Sequence, residues 1–483
     1  SGSGAVTVNL NANPTQVALL NRTDNDFDFK ASTSAAIDIN VGSYTSASGT
    51  YVLNDTAGDV GVTVDSTSVF GSHVQASGAP TISILGTGAI AATVSGQNTQ
   101  TITVNASSGT LAVGSSAAST FNLTTTSNIT LGGSTSRLSG VQTMSINVAT
   151  NTADLSGSNL GFQDMQTLSL AGAGTAATVL LNDISASGAN MAVTISGLEG
   201  GVSAFNVSNA SGNITVAAEA LTGSLDIATL ETAGAGGITV STGTAGNFSS
   251  NLVKTVGTFT LDAAAHVSGS GSIAMSDLTA SGAVSISLGS GSGDVALLDV
   301  ATHAGAFTLD GSNFGGTIDV GTFTAGGNTT VSMGSEGYFS ASVIGTAGSF
   351  TLDGAAATTG QTTIDTLSAV GNVTISMGTG TGGIVLTSAI TNGNVTIDAS
   401  TFGGTIDAMS VTASGSIVVS VGTNGDFSAG TFASIGALTV DAAASTSGAI
   451  TLTTVTAGGN ATISMGAGTG SLTLTNVTAA GNF

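Results

Sequence analysis

One glycine, returning about every 22 residues through the second half of the chain, limits the fold more than any other feature. The clearest pair is Gly371-Asn372-Val373-Thr374-Ile375-Ser376 and Gly393-Asn394-Val395-Thr396-Ile397-Asp398, 22 residues apart. Aligned on that glycine, the series runs Gly236, Gly257, Gly282, Gly305, Gly327, Gly348, Gly371, Gly393, Gly415, Gly436, Gly459 and Gly481. The steps are 21, 25, 23, 22, 21, 23, 22, 22, 21, 23 and 22 residues. Each anchor opens an alternating apolar/polar stretch such as Phe350-Thr351-Leu352-Asp353, the pattern of a strand with one face in a core. A unit of this length is too short for a helical repeat or a propeller blade and fits one turn of a β-solenoid. The fold class that follows is all-β: a long parallel β-solenoid, or β-helix, with rungs of about 22 residues.

The pleat assigns the side chains. Val373, Ile375, Met377, Phe307, Leu309, Phe350 and Leu352 face inward, and Thr308, Thr351, Thr374 and Thr396 face outward. A second strand, for example Ile384-Val385-Leu386-Thr387, follows a glycine-rich corner. Glycine at these corners is expected to supply positive-φ turns. A longer rhythm overlies the first. The residue closing the first strand alternates between serine and aspartate: Ser241, Asp262, Ser287, Asp310, Ser332, Asp353, Ser376, Asp398, Ser420, Asp441, Ser464. Rungs stack ~4.8 Å apart, so aspartate on every second rung avoids a close like-charge ladder. Phe314-Gly315-Gly316-Thr317-Ile318-Asp319 recurs 88 residues on as Phe402-Gly403-Gly404-Thr405-Ile406-Asp407, as expected of growth by duplicated rung pairs. Eleven intervals of this spacing make the regular part a rod of ~53 Å.

Three zones follow. Residues 191–483 form the regular solenoid, 79–190 carry the same grammar less regularly, and 1–78 read as an N-terminal β cap or small domain. The first zone ends just before Pro80 and holds Pro14, the only other proline of the chain, as well as Arg22, Lys30, Tyr44 and Tyr51. Gly481-Asn482-Phe483 opens a new rung, so the intact protein is expected to continue beyond it.

Composition excludes several functions. Four Lys+Arg against 27 Asp+Glu give a net charge of −23, and only 6% of residues are charged, against roughly 25% in ordinary domains. So few cations cannot neutralise a row of phosphates, which excludes nucleic acid as a partner. The absence of cysteine removes disulfides, thiolate metal sites and cysteine nucleophiles. With 41% apolar residues the chain is not of the disordered class. No apolar stretch approaches the roughly 18 residues of a membrane span. The remaining class is a secreted, extracellular structural protein.

Leu138-Ser139-Gly140-Val141-Gln142-Thr143-Met144-Ser145-Ile146 and Phe162-Gln163-Asp164-Met165-Gln166-Thr167-Leu168-Ser169-Leu170 resemble units found in bacterial S-layer proteins of the Caulobacter type. The wider resemblance is to large Ala/Gly/Ser/Thr-rich, RTX-like surface proteins exported by type I secretion. Gln stands here where that unit usually has Glu, and the Gly-Gly-x-Gly-x-Asp calcium repeat of those proteins does not occur in this chain. The resemblance implies a calcium-dependent, self-assembling cell-surface lattice and a C-terminal secretion signal. The expected function is accordingly a cell-surface layer or an extracellular filament, with other copies of the chain as partners and cell-surface polysaccharide as a further one. An adhesin stalk like the filamentous haemagglutinins is the alternative. An ice-binding solenoid is a more distant one, because the outward threonine ladders are interrupted by Asp and Asn.

Candidate chemistry is sparse. His73, His266 and His303 lie apart, and no Arg or Lys follows Lys254, whereas solenoid enzymes acting on polysaccharides pair carboxylates with such cations; the chain reads as a non-enzyme. Two sets of aspartates offer oxygen ligands suited to Ca²⁺. Asp24, Asp26 and Asp28 fall on one face of an extended strand. Asp310 with Asp319, Asp353 with Asp365, and Asp398 with Asp407 come from the two strands of single turns. The competing reading of the second set, and the favoured one, is that aspartate caps turns by accepting backbone N–H groups. The sequons at Asn328, Asn372, Asn394 and Asn460 are read as products of the rung motif itself.

Overall fold

The computed structural model describes strand backbones between Val6 and Leu138, then residues 141–149, 152–156, 165–172, 177–243, 246–264, 271–354 and 359–483. Among these residues the protein is all-β, without a helix, and its strands stack as a parallel β-solenoid. The chain forms two compact units, residues 1–236 and 237–483.

In the second unit every turn contains a short strand of five residues and a long strand of eight or nine, such as Val373–Met377 and Gly383–Thr391. Eleven such turns run from Ile238–Thr242 to Leu472–Ala479. Short strands pair only with short strands and long with long, so two parallel sheets form. Their register joins equivalent positions one turn apart: Val373 with Val395 and Ile417, Ile384 with Ile406 and Phe427. The inward parity holds. Val373, Ile375, Phe350, Leu352 and Leu309 are fully buried, and Met377 and Phe307 nearly so. In the long strand the alternation breaks once, as in Asp294–Thr302, where Leu298 and Asp299 both face out between buried Leu297 and Val300. The strand bends at that pair. Each turn therefore consists of three straight runs around one apolar column. Aromatic rings bridge the runs, Phe307 lying 4.4 Å from Phe323 between ring centroids.

The first unit has the same parallel pairing, from Val6–Leu10 with Phe27–Thr33 through Met191–Ser196 with Ile214–Ala220. The two Gln-Thr motifs are successive rungs here, Thr143 pairing with Thr167 and Ile146 with Leu170. The Gln142 carbonyl accepts the N–H groups of both Gln166 and Thr167 at 2.8 Å.

The anchor glycines do their work differently from the sequence expectation. Among the described residues only Gly197 and Gly201, both in the first unit, have positive φ, at 64° and 99°. The anchors instead supply room. At most anchors the N–H donates to the carbonyl of the anchor one turn earlier, as Gly371 to Gly348 at 2.8 Å and Gly415 to Gly393 at 2.9 Å, while the N–H of Gly393 donates to Thr391 Oγ1 at 3.0 Å. A Cβ on Gly371 would lie 2.5 Å from Ser349 Oγ and 2.9 Å from the Gly348 carbonyl carbon. A second glycine spine, Gly316, Gly360, Gly382, Gly404, Gly448 and Gly470, precedes the long strands. There a Cβ would overlap the carbonyl oxygen of the turn before. Two glycine-lined edges let successive backbones stack at sheet spacing.

Candidate functional site

The outward surface of the second unit is ordered in columns, because each position repeats at the spacing of the sheet. On the short strands one column is threonine, Thr308, Thr330, Thr351, Thr374 and Thr396. Two residues on lies the alternating Ser/Asp column. Its aspartates cap the following turn: Asp262 accepts the N–H of Ala264 at 3.0 Å, Asp310 that of Ser312 at 3.1 Å, Asp398 that of Ser400 at 3.2 Å and Asp441 that of Ala443 at 3.0 Å. Asp154 in the first unit does the same for Ser156. The turn-capping reading thus describes Asp310 and Asp398 directly, and each still presents exposed carboxylate oxygen to solvent.

The paired aspartates do not converge. Asp310 and Asp398 lie on short strands, Asp319 and Asp407 on long ones, in the two separate sheets. Asp319 and Asp407 share a column but stand four turns apart, with Ser340, Thr363 and Val385 between them. Asp365 is not equivalent to either. It sits two residues further on, at the outward bend of Thr362–Ala369, where Thr363 holds the position of Asp319. Two residues make one full alternation of the pleat, so Asp365 faces outward as Asp319 does but in a different column. Asp353 is exposed on its short strand. Among the described residues no group of three or more Asp, Glu or His side chains comes together. Asp24 and Asp26 lie outside the described residues, and Asp28 lies in the strand Phe27–Thr33, of which only the backbone is described.

Several ordered polar features carry no obvious signal in a chain so rich in Asn, Thr and Ala. Asn328, Asn372, Asn394 and Asn460 form part of an exposed corner ladder. The Asn328 Oδ1 accepts the N–H of Ser349 at 2.9 Å, Ser349 Oγ that of Asn372 at 3.1 Å, Asn372 Oδ1 that of Asn394 at 2.9 Å and Asn394 Oδ1 that of Ser416 at 2.8 Å. This gives the sequons a structural origin: the asparagine is the rung-to-rung staple and the threonine two residues on is the outward strand position.

A second set is buried. The long strands end on an inward column that reads Thr255, Ala280, Thr302, Ala325, Thr346, Ala369, Thr391, Ala413, Ser434, Ala457. The hydroxyls donate to carbonyls of the anchor spine: Thr302 to Gly305 at 2.9 Å, Thr346 to Gly327 at 2.6 Å, Thr391 to Gly371, and Ser434 to Gly436 at 3.1 Å. The sequence signal for them is an alternation of Thr and Ala, mostly two residues before each anchor glycine. One pair of aspartates breaks the alternate-rung rule: Asp277 and Asp299, both exposed, are direct neighbours across adjacent long strands.

Of the three histidines, His303 is exposed at a corner; His266 lies outside the described residues, and of His73 only the strand backbone is described. Among the described residues no helix is long and apolar enough to cross a membrane. No family model matches the chain, and no curated protein or solved structure matches it.

Proposed function

We propose that this chain is a structural, self-assembling extracellular protein, forming a cell-surface layer of the S-layer kind or an extracellular filament. Divalent cations, with Ca²⁺ foremost, bridge the copies. The observation that carries this reading is the row of exposed carboxylates at two-turn intervals on one sheet, Asp262, Asp310, Asp353, Asp398 and Asp441. Two turns correspond to ~9.6 Å. With a net charge of −23, copies lying side by side repel one another, and a divalent ion shared between such rows removes that repulsion. The core is filled by the chain's own side chains, which suits a mechanical role rather than a catalytic one.

The test is negative-stain electron microscopy and light scattering of the purified chain at millimolar Ca²⁺ and after chelation. Ordered arrays or filaments that disperse in chelator and return on adding Ca²⁺ are the expected result. Assemblies of unchanged order in chelator would remove the cation bridge, and a chain that stays monomeric under both conditions would remove self-assembly.

A further inference from the structure

The second unit contains two kinds of turn, distinguished at three positions that change together. A turn with outward Ser closes its short strand on a larger side chain, Leu288, Met333, Met377, Val421 or Met465, and ends its long strand on buried Thr or Ser. A turn with outward Asp closes its short strand on Ala263, Gly311, Gly354, Ala399 or Ala442 and ends its long strand on Ala. Ala479, at the end of the last turn, is a departure from the rule, and Thr242 fills the larger position in the first.

These positions touch across the stack. Gly354 pairs with Met377, Gly311 with Met333, Ala399 with Val421 and Ala442 with Met465. A Cβ added to Gly354 would come within 2.7 Å of Met377 Sδ, so the methionine occupies the volume that the glycine leaves. The buried hydroxyl of a Ser turn likewise faces an alanine methyl on each neighbouring turn, and its hydrogen is taken by an anchor carbonyl.

From this we infer that the stacking surface carries a two-letter code: a turn of one type accepts only the other type as its neighbour. Register in the stack is therefore set modulo two turns, and the structural quantum of the repeat is the pair. Two Asp turns in contact would set Gly against Ala over an unfilled volume, and two Ser turns would set Met against Met. Packing decides this, not charge. Adjacent exposed aspartates are tolerated at Asp277 and Asp299, whereas a core void or an overpacked layer is not relaxed cheaply.

Two deletions in the full chain test it. Removing residues 371–392, one Ser turn from anchor to anchor, joins the Asp353 turn to the Asp398 turn and sets Gly354 beside Ala399. Removing residues 348–392, two turns, joins the Ser332 turn to the Asp398 turn and keeps the code. Stability in a solenoid is nearly a sum over turns and their interfaces, so without a code the larger deletion loses more. With it, the one-turn deletion melts at least roughly 5 °C below the two-turn deletion, read by circular dichroism, and is cut faster by protease near the junction. Equal midpoints, a more stable one-turn deletion, or failure of both chains to fold would overturn the inference.

Discussion

Between Met191 and Gly236 the chain ends successive long strands on Asn209 and Thr232; between Thr255 and Ala457 it alternates a hydroxyl with alanine. Both solutions satisfy the corner that leads into the next turn, but by different means. Buried Asn209 spans the corner alone. Its Nδ2 donates to the Ala189 carbonyl at 2.7 Å and the Asn213 carbonyl at 3.2 Å, and its Oδ1 accepts from Ser211 at 3.2 Å and Gly212 at 3.0 Å. In the regular turns a single hydroxyl does less, because the glycine spine has already lined up the backbone donors and acceptors. The first unit also uses left-handed glycines, Gly197 and Gly201, and a register irregularity between Thr194 and Ser196. Irregular turns are closed by local rotation and multivalent side chains, while regular turns are closed by the absence of side chains at two edges.

That contrast can be broken at its strongest point with two neighbouring glycines. Gly404→Ala places a methyl into the Gly382 carbonyl oxygen and the Phe402 ring, whereas a Cβ on Gly403 meets nothing nearer than 3.7 Å. Gly404→Ala is expected to destabilise by about 3 kcal/mol or more, and Gly403→Ala to fall within about 1 kcal/mol of neutral, by urea denaturation monitored with circular dichroism. Equal effects would mean that room is not what the spine provides.

The corner residues give the next contrast. Asn209→Ala removes four hydrogen bonds and takes the side-chain acceptor from the buried Gly212 N–H, at a cost of about 2–3 kcal/mol. Thr346→Ala removes one donated bond, to the Gly327 carbonyl, and the N–H it accepts from Gly348 at 3.3 Å, at a cost of about 1 kcal/mol. A reversed order in the same denaturation experiment would show that the regular corner depends on its hydroxyl more than its geometry indicates.

The smallest effect is a gain. Thr329 Oγ1 is buried without a hydrogen-bond partner and lines a small apolar cavity with Phe307, Phe323, Val331 and Phe339. Its equivalents one and two turns away are Phe307, Phe350 and Val373. Thr329→Val keeps the shape and removes an unsatisfied hydroxyl, so stability should rise by about 1 kcal/mol; a fall would indicate that the hydroxyl finds a partner in solution.

The period, the inward parity and the Ser/Asp rhythm were legible in the sequence because each is a direct trace of stacking: glycine marks the tight edge, and alternation marks the pleat. Three features were not. The reason for glycine is steric crowding by a residue 22 positions away, which no local pattern encodes. Asp365 stands two residues beyond the column of Asp319, an offset fixed only by the pairing that sets Thr363, not Asp365, beside Ser340. The buried Thr/Ala alternation is carried by two of the commonest residue types here and stands out only once burial separates it from the outward threonines.

Two glycine edges and a handful of size-matched inward positions satisfy nearly all that the stack demands. Outward positions carry less of this packing than the core does, so substitution there disturbs the layers less. Two solenoids of this kind can share every packing rule described and retain little residue-by-residue likeness. Their common descent would then be recorded in the phase of the glycines and the parity of the turns.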